Sequence, residues 1–370
     1  MTAAQVRPFE RALAESRNRL RELAATGIGI IGYFCTYTPV ELIHAAGFVP
    51  VRVTRGSEPV SKADSLVPGF LCPYMRAALD AGLRGEYDFL SGVVQAYTCD
   101  AACGTVQIWE RSIGGRLFHT MPLPYRDSEQ SRKFFGSVIG ELIEHMEAAG
   151  GQYDEVRLRH SLGVYEEMRR LVLDLYRTRF DGERLFSAAD FFSVIQAGFV
   201  TPPDEYLGLL RDLIGELGSC LGSAPGGMPV VVSGSVVEDR RLLEILEESG
   251  GRVVADDLCT GFRWFHAAAG QGKDPIDRLI DRYMNRFPCP SRARSGDRVA
   301  LLVELVRRSE AKGVVFLFQK FCTPHLADHP VVVEELKKLD IQSIAVEMEE
   351  TGLNEGRVRT RLEAFFEMLG

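Results

Sequence analysis

The sequence predicts an α/β protein of two Rossmann-like lobes with parallel sheets, joined by a helical section. The chain has 370 residues, which is long enough for two or three domains. Short apolar runs alternate with segments of helical periodicity towards both ends of the chain, as in βαβ units. Between them, apolar residues recur at helical spacing alone. We therefore expect an N-terminal lobe over 1–126, a helical connecting section over 127–226 and a C-terminal lobe over 227–370.

The first lobe is expected to begin with an exposed amphipathic helix, MTAAQVRPFERALAESRNRLRELAA. Two more helices should follow, PVELIHAAGF and CPYMRAALDAGLRG. Pro39 suits the first turn of the former and Gly47 its C-cap, while Cys72 and Pro73 suit the N-cap and first position of the latter. Four short apolar runs are expected to be strands: IGIIGYF, FVPVRV, DFLSGVVQAY and GRLFHTM.

The connecting section should contain four helices: SRKFFGSVIGELIEHMEAAGG, EVRLRHSLGVYEEMRRLVLDLYRTRF, SAADFFSVIQAGF and PDEYLGLLRDLIGELGSCLG. The second lobe repeats the strand–helix alternation of the first. Its expected strands are PVVVSG, RVVADD, KGVVFLFQ and IQSIAVEME, and its expected helices are VEDRRLLEILEESGG and TRLEAFFEML.

The charge and hydropathy of the chain exclude two classes of partner. The net charge is -8, whereas a nucleic-acid-binding surface needs clustered basic residues. No apolar run reaches the roughly 18 to 20 residues of a membrane helix. The first residues also lack the apolar central segment of a signal peptide. We expect a cytoplasmic protein that binds neither nucleic acid nor membrane.

Most of the eight cysteines are placed where ligands bind rather than where cores form. Thiols that only fill a core favour strand middles and inward helix faces. Ligands of open parallel sheets bind beyond the carboxyl ends of the strands. Four cysteines follow predicted strands: Cys35, Cys99, Cys259 and Cys322. Cys72 precedes a helix, Cys289 lies between two prolines, and Cys220 lies in the last turns of a helix. A disulfide scaffold is not expected, since such scaffolds are small and secreted. These positions favour metal ligation over inert burial.

The thiols are better suited to iron–sulfur than to zinc. A zinc site normally combines close pairs such as C-x-x-C, and the sequence has none. Clusters of iron and sulfide prefer soft thiolates. Cys103 follows Cys99 at i+4 and can face the same way on a helix. His44 and His325 lie near candidate ligands, and we interpret both as structural residues.

Helix N-termini lower the pKa of nearby thiols, and metal ligation requires the thiolate. Cys72 and Cys99 both precede predicted helices, and Thr98 is a candidate N-cap for the helix after Cys99. We therefore expect lowered pKa values at these two thiols.

Six segments resemble the 2-hydroxyacyl-CoA dehydratase / benzoyl-CoA reductase family, and most closely its homodimeric branch of double-cubane cluster proteins. The resemblance runs from about Gly27 to the C-terminus. The segments are YFCTYTPVELIHAAGFVPVR, LCPYMRAALD, AYTCDAACG, VVADDLCTGFR, VVFLFQKFCTPH and TRLEAFFEML.

The resemblance implies a ligand set. Three cysteines that hold one four-iron cluster between the lobes in dehydratase subunits match Cys72, Cys99 and Cys322. The double-cubane branch holds an [8Fe-9S] cluster with additional cysteines. The resemblance assigns these roles to Cys103, Cys259 and Cys289, with Cys35 in reserve as a replacement for Cys289 or a residue behind the ligands.

The resemblance also implies a function. A homodimer would receive low-potential electrons from a separate homodimeric [4Fe-4S] ATPase and reduce a small molecule. Two alternatives are a 2-hydroxyacyl-CoA dehydratase subunit with a single [4Fe-4S] cluster, and a non-catalytic electron carrier. Glu41, one turn into the helix after Cys35, is a weak candidate for a catalytic acid, and a first-turn glutamate favoured by the helix dipole explains it equally well.

Overall fold

The computed structural model describes residues 3–180, 186–217, 226–266, 270–286, 288–292, 294–349 and 354–370. It contains two four-stranded sheets in which every strand pairing is parallel. Helices cover the sheets, so the predicted α/β class with two Rossmann-like lobes is confirmed.

The first sheet has the strand order β2-β1-β3-β4. The elements are α1 (Ala3–Ala25), β1 (Ile30–Tyr33), α2 (Val40–Ala45), β2 (Val49–Arg52), α3 (Pro73–Leu83), β3 (Gly92–Ala96), α4 (Asp100–Ser112) and β4 (Leu117–Met121). The apolar runs of β1 and β3 are buried on both faces, as expected for the central strands of a covered parallel sheet.

Four long helices follow the first sheet. They are α5 (Glu129–Ala148), α6 (Glu155–Phe180), α7 (Ala188–Val200) and α8 (Pro203–Leu217). Ser128 caps α5 and Ser187 caps α7, each accepting a hydrogen bond from a backbone N–H of the first turn. The predicted helical section is thus present.

The second sheet has the order β6-β5-β7-β8, which is the same topology as the first. The elements are β5 (Met228–Gly234), α9 (Arg240–Glu248), β6 (Gly251–Asp257), α10 (Phe262–Phe265), α11 (Pro275–Met284), α12 (Ser295–Arg308), β7 (Gly313–Gln319), α13 (Thr323–Lys338), β8 (Gln342–Met348) and α14 (Glu355–Leu369). Helices α10 to α13 were not predicted from the sequence.

Several helices pack across the three expected sections. α1 packs on α7 and α8, with Phe9 buried edge-on against Tyr206, whose ring centroid is 6.2 Å away. α11 belongs to the second lobe in sequence but packs on α5 and shares a core with the first sheet. The boundaries at residues 126 and 226 therefore stay a prediction.

Two predicted helix ends differ by one residue from the structure. Pro39 is the N-cap of α2 rather than its first residue, and the C-cap of α2 is Ala46. Gly47 follows with φ +86°, a left-handed conformation that glycine adopts without a steric penalty. Cys72 is the N-cap of α3 and Pro73 its first residue, as predicted.

Strands β3 and β4 approach each other closely at Gly92, so a substitution at this residue tests their packing. A Cβ added to Gly92 would lie 1.8 Å from the carbonyl oxygen of Leu117. We expect Gly92→Ala to lower the free energy of unfolding in urea by about 1–3 kcal/mol or more, because the sheet must shift. Gly163→Ala is the control: its site in α6 is exposed with no atom within 4 Å, and it should gain about 0.5–1 kcal/mol. Equal stability of the two variants would contradict this packing.

Candidate metal centre between the lobes

A cavity of about 660 Å³, counted to its mouth, lies where the carboxyl ends of the two sheets meet. Both central strand pairs, β1 with β3 and β5 with β7, end at this cavity. The order of connection reverses between these strands, which is where open α/β sheets bind ligands. Six cysteines line the cavity, three from each side: Cys35, Cys72 and Cys99 from the first lobe, and Cys259, Cys289 and Cys322 from the second.

In the first lobe, the three thiols are placed by the end of β1 and by two helix starts. Cys35 follows β1; its Sγ accepts from the Tyr37 N–H at 3.4 Å and lies 3.1 Å from Thr98 Oγ1. Cys72 is the N-cap of α3, and Cys99 is itself the N-cap of α4. The expectation that Thr98 caps α4 was wrong: its hydroxyl contacts Cys35 instead.

In the second lobe, the thiols lie after β6, between α11 and α12, and at the start of α13. Arg263 donates to Cys259 Sγ at 3.1 Å. Ser291 Oγ donates to Cys289 Sγ at 3.2 Å. Cys322 is the N-cap of α13. The cavity therefore carries several hydrogen bonds to sulfur, the kind of contact that tunes metal-bound thiolates.

The other candidate residues differ in their position relative to the cavity. Cys103 is buried in α4 but does not line the cavity, whereas Cys35 does. Cys220 lies outside the described residues. His325 lines the cavity and is fully buried, with its Nε2 3.5 Å from Arg263. His44 is held by Ser161 and Asp204 away from the cavity.

Burial favours the protonated thiol at four of the cavity cysteines when no metal is bound. It raises the pKa of Cys35, Cys99 and Cys322, and neighbouring thiols raise it further. Burial raises the pKa of Cys259 to about 11, even though Arg263 favours the thiolate. The lowered pKa expected at Cys99 from the helix N-terminus was thus wrong, because desolvation outweighs the dipole. Nucleophilic cysteines need a lowered pKa, whereas a bound metal ion displaces the proton itself.

Buried arginines supply positive charge around the thiols. Among the described residues, three of them form no ion pair with a carboxylate: Arg52, Arg286 and Arg292. Arg286 donates to the carbonyl of Thr36, next to Cys35, and Arg52 lines the cavity. Buried charges are normally paired or bound to metal centres. The donor set and its surroundings therefore fit an anionic group held by thiolates. Sequence reasoning missed these arginines, because a buried arginine has no local sequence signal.

The chain matches the family described as 2-hydroxyglutaryl-CoA dehydratase, D-component, over residues 35–369. This stretch contains both sheets, apart from β1, and all six cavity cysteines. The chain belongs to the 2-hydroxyglutaryl-CoA dehydratase D-component family. The resemblance to the 2-hydroxyacyl-CoA dehydratase / benzoyl-CoA reductase family is thereby confirmed, whereas its double-cubane branch stays a prediction.

Curated relatives of the D-component family are subunits of dehydratases and a reductase. The chain is 26% identical to the (R)-phenyllactyl-CoA dehydratase beta subunit of Clostridium sporogenes, covering 95% of this chain and 94% of the relative. It is 26% identical to the beta subunit of the lactoyl-CoA dehydratase of Anaerotignum propionicum, covering 94% and 93%. It is also 26% identical to a subunit of the benzoyl-CoA reductase of Thauera aromatica, covering 85% and 84%. Over the described ranges, no helix has the length and apolar character needed to cross a bilayer.

Glu41 lies in α2, fully buried, and does not line the cavity. It forms ion pairs with Arg169 and Arg282, the latter at 3.2 Å, and accepts a hydrogen bond from the Tyr283 hydroxyl at 2.7 Å. Burial alone would raise the pKa of Glu41, but these partners outweigh it and lower the pKa to about 2. The arrangement keeps Glu41 ionised and joins α2 to α6 and α11.

The buried Glu41 cluster makes stability depend on acid. The pKa of Glu41 falls from 4.5 to about 2 on folding, so its contribution of about 3 kcal/mol is complete above pH 4.5 and is lost as the pH falls towards 2. We expect Glu41→Gln to lower the free energy of unfolding by about 3 kcal/mol or more at pH 7, because two buried arginines lose their partner.

The same measurement at pH 3 should show a smaller difference between Glu41→Gln and the unchanged chain. Glu129→Gln is the control, since Glu129 and Lys133 form an exposed pair in α5 that contributes about 0–1 kcal/mol. A Glu41→Gln effect that is small at pH 7, or equal at pH 3 and pH 7, would contradict the ion-pair role.

Proposed function

We propose that this chain is an iron–sulfur reductase component that holds a double-cubane [8Fe-9S] cluster in the cavity between the lobes. The observation that carries the proposal is the convergence of six thiols from both lobes on one cavity. The resemblance implies that a single cubane in a dehydratase subunit would use three of these positions, those of Cys72, Cys99 and Cys322. The other three, Cys35, Cys259 and Cys289, are available for a second cubane.

The proposed ligand set exchanges one residue of the set implied by the resemblance. Cys35 takes the place of Cys103, because Cys35 lines the cavity and Cys103 does not. When bound, the cluster would supply one-electron reduction at low potential to a small molecule.

The chain's own residues perform three tasks in this proposal. The thiols hold the group, the buried surroundings limit its contact with water, and donors to sulfur stabilise negative charge. Arg263 on Cys259 and Ser291 on Cys289 are such donors. Each donor favours the reduced state over the oxidised one, so the site accepts an electron more readily than bare thiolates would.

Electrons would come from a partner. The sequence contains no G-x-x-x-x-G-K-[ST] motif for binding ATP phosphates. ATP hydrolysis would take place on a separate homodimeric [4Fe-4S] ATPase that binds this chain transiently. The chain itself would act as a cytoplasmic homodimer. Family membership supports the existence of a partner component.

A 2-hydroxyacyl-CoA dehydratase subunit is the second candidate. Its specific support is that two of the relatives above are beta subunits of acyl-CoA dehydratases. This chain would then hold one [4Fe-4S] cluster, pair with a sister chain and take part in radical dehydration of an acyl-CoA. A non-catalytic electron carrier would hold a cluster but show no turnover.

Iron and sulfide content of anaerobically purified protein separates the candidates. We expect about eight irons and nine sulfides per chain for the double cubane, against about four of each for a single cubane. With an activating ATPase, ATP and reductant supplied, the reductase should reduce acetylene, a small-molecule probe. About four irons together with dehydration of a 2-hydroxyacyl-CoA would overturn the proposal in favour of the dehydratase, and eight irons without turnover would favour the carrier.

A pair of variants tests the ligand set. We expect Cys35→Ala to lose roughly half of the iron, because one cubane loses a thiolate, and Cys103→Ala to keep all of it. Cys103 is the matched control, since it is a buried cysteine of the same lobe that does not line the cavity. The reverse result, with iron lost only from Cys103→Ala, would restore Cys103 to the ligand set and remove Cys35.

A further inference from the structure

A second group of metal-ligating side chains lies between β4 and α5 of the first lobe. His119 is on β4, the edge strand of the first sheet, and Glu141 and His145 are on α5, which packs against it. One ligand atom from each of the three lies within 4.8 Å of the other two. None of the three lines the cysteine cavity.

The buried member of this group is not explained by protein contacts. His119 is 6% exposed, and its Nε2 has no hydrogen-bond partner. Its Nδ1 lies 2.9 Å from the Nδ1 of His145. A buried polar atom without a partner calls for a missing water or ion.

We propose that His119, Glu141 and His145 bind a divalent transition metal ion, with Zn²⁺ as the best match. Two imidazoles and one carboxylate form a ligand set that zinc uses with a fourth, open position. Mg²⁺ and Ca²⁺ prefer oxygen ligands, so two imidazoles select against them. Glu141 and His145 are four residues apart on α5 and exposed, so they face the same side and an ion can reach them from solvent.

A metal ion there would fasten α5 to the edge strand β4. α5 also packs on α11, and Arg132 of α5 forms an ion pair with Asp281 of α11. The chain leaves α11 at Met284 and reaches Cys289 five residues later. The proposed ion would therefore stiffen the support of one cavity thiol, although it lies outside the cavity.

Zn²⁺ titration of the cluster-loaded protein tests this site, because the cavity thiols are then occupied. Calorimetry should detect one site, weakened at least about tenfold in Glu141→Gln and in His145→Ala. Both replaced residues are exposed, so both variants should fold. Glu144→Gln is the matched control, since Glu144 is an exposed carboxylate of α5 outside the group.

Zn²⁺ should also raise the melting temperature of the unchanged protein and of Glu144→Gln, but not of the two ligand variants. The iron content should stay the same in all four proteins. Unchanged Zn²⁺ affinity in Glu141→Gln and His145→Ala would overturn the proposal and leave a plain hydrogen bond between two imidazoles.

Discussion

The constraint on which the rest depends is the burial of six thiols in one cavity that the buried guanidinium of Arg52 also lines. Two parallel sheets of the same topology direct their carboxyl ends at each other, and cysteines follow the strands or begin the helices at that edge. Desolvation favours the neutral thiol at Cys35, Cys99 and Cys322, and the buried charge of Arg52 calls for a negative group nearby. A thiolate-bound metal group satisfies both requirements together, since it removes the protons and supplies the negative charge.

Ion pairs around the cavity hold its walls in place. Glu41 connects α2 of the first lobe to α6 and α11, beside the segment that carries Cys35. In the second lobe, Asp257 at the end of β6 binds both Arg263 and Arg298, and Arg298 also binds Asp328 of α13. Removing one member of such a buried network leaves a charge without a partner. Two of the contacts of Arg263 have different roles: its pair with Asp257 fixes its position, and its bond to Cys259 acts on the thiol.

The fold could be predicted from the sequence where buried segments are continuous runs of apolar residues. Central strands such as β5 and β7 are largely buried and stand out as continuous apolar segments. Helices α10 to α12 could not be predicted in the same way. α10 is a single turn, and buried residues of α11 and α12 include Arg282 and Arg298, which read as surface residues in a sequence. Their burial depends on carboxylates that are distant in the chain.

The candidate site was predictable in position but not in detail. A cysteine that directly follows a strand lies at the carboxyl end of that strand, whichever residues surround it. Its position in the fold can therefore be predicted from the sequence. The choice between Cys35 and Cys103 could not be made from spacing, because an i+4 cysteine on a helix faces the cavity only if the helix is turned that way. In α4 the N-cap thiol of Cys99 lines the cavity, whereas Cys103 is buried one turn further along the helix and does not line it. Likewise, a helix N-terminus indicates a lowered thiol pKa only if the thiol stays in contact with water.

The most direct test of the central claim is the anomalous difference density at the iron absorption edge, from crystals grown without oxygen. The account predicts one continuous iron peak between the lobes, in contact with the sulfur atoms of all six cavity cysteines: Cys35, Cys72, Cys99, Cys259, Cys289 and Cys322. Iron bound at another place, or cavity sulfur atoms that face separate hydrophobic interiors with no iron between them, would contradict it.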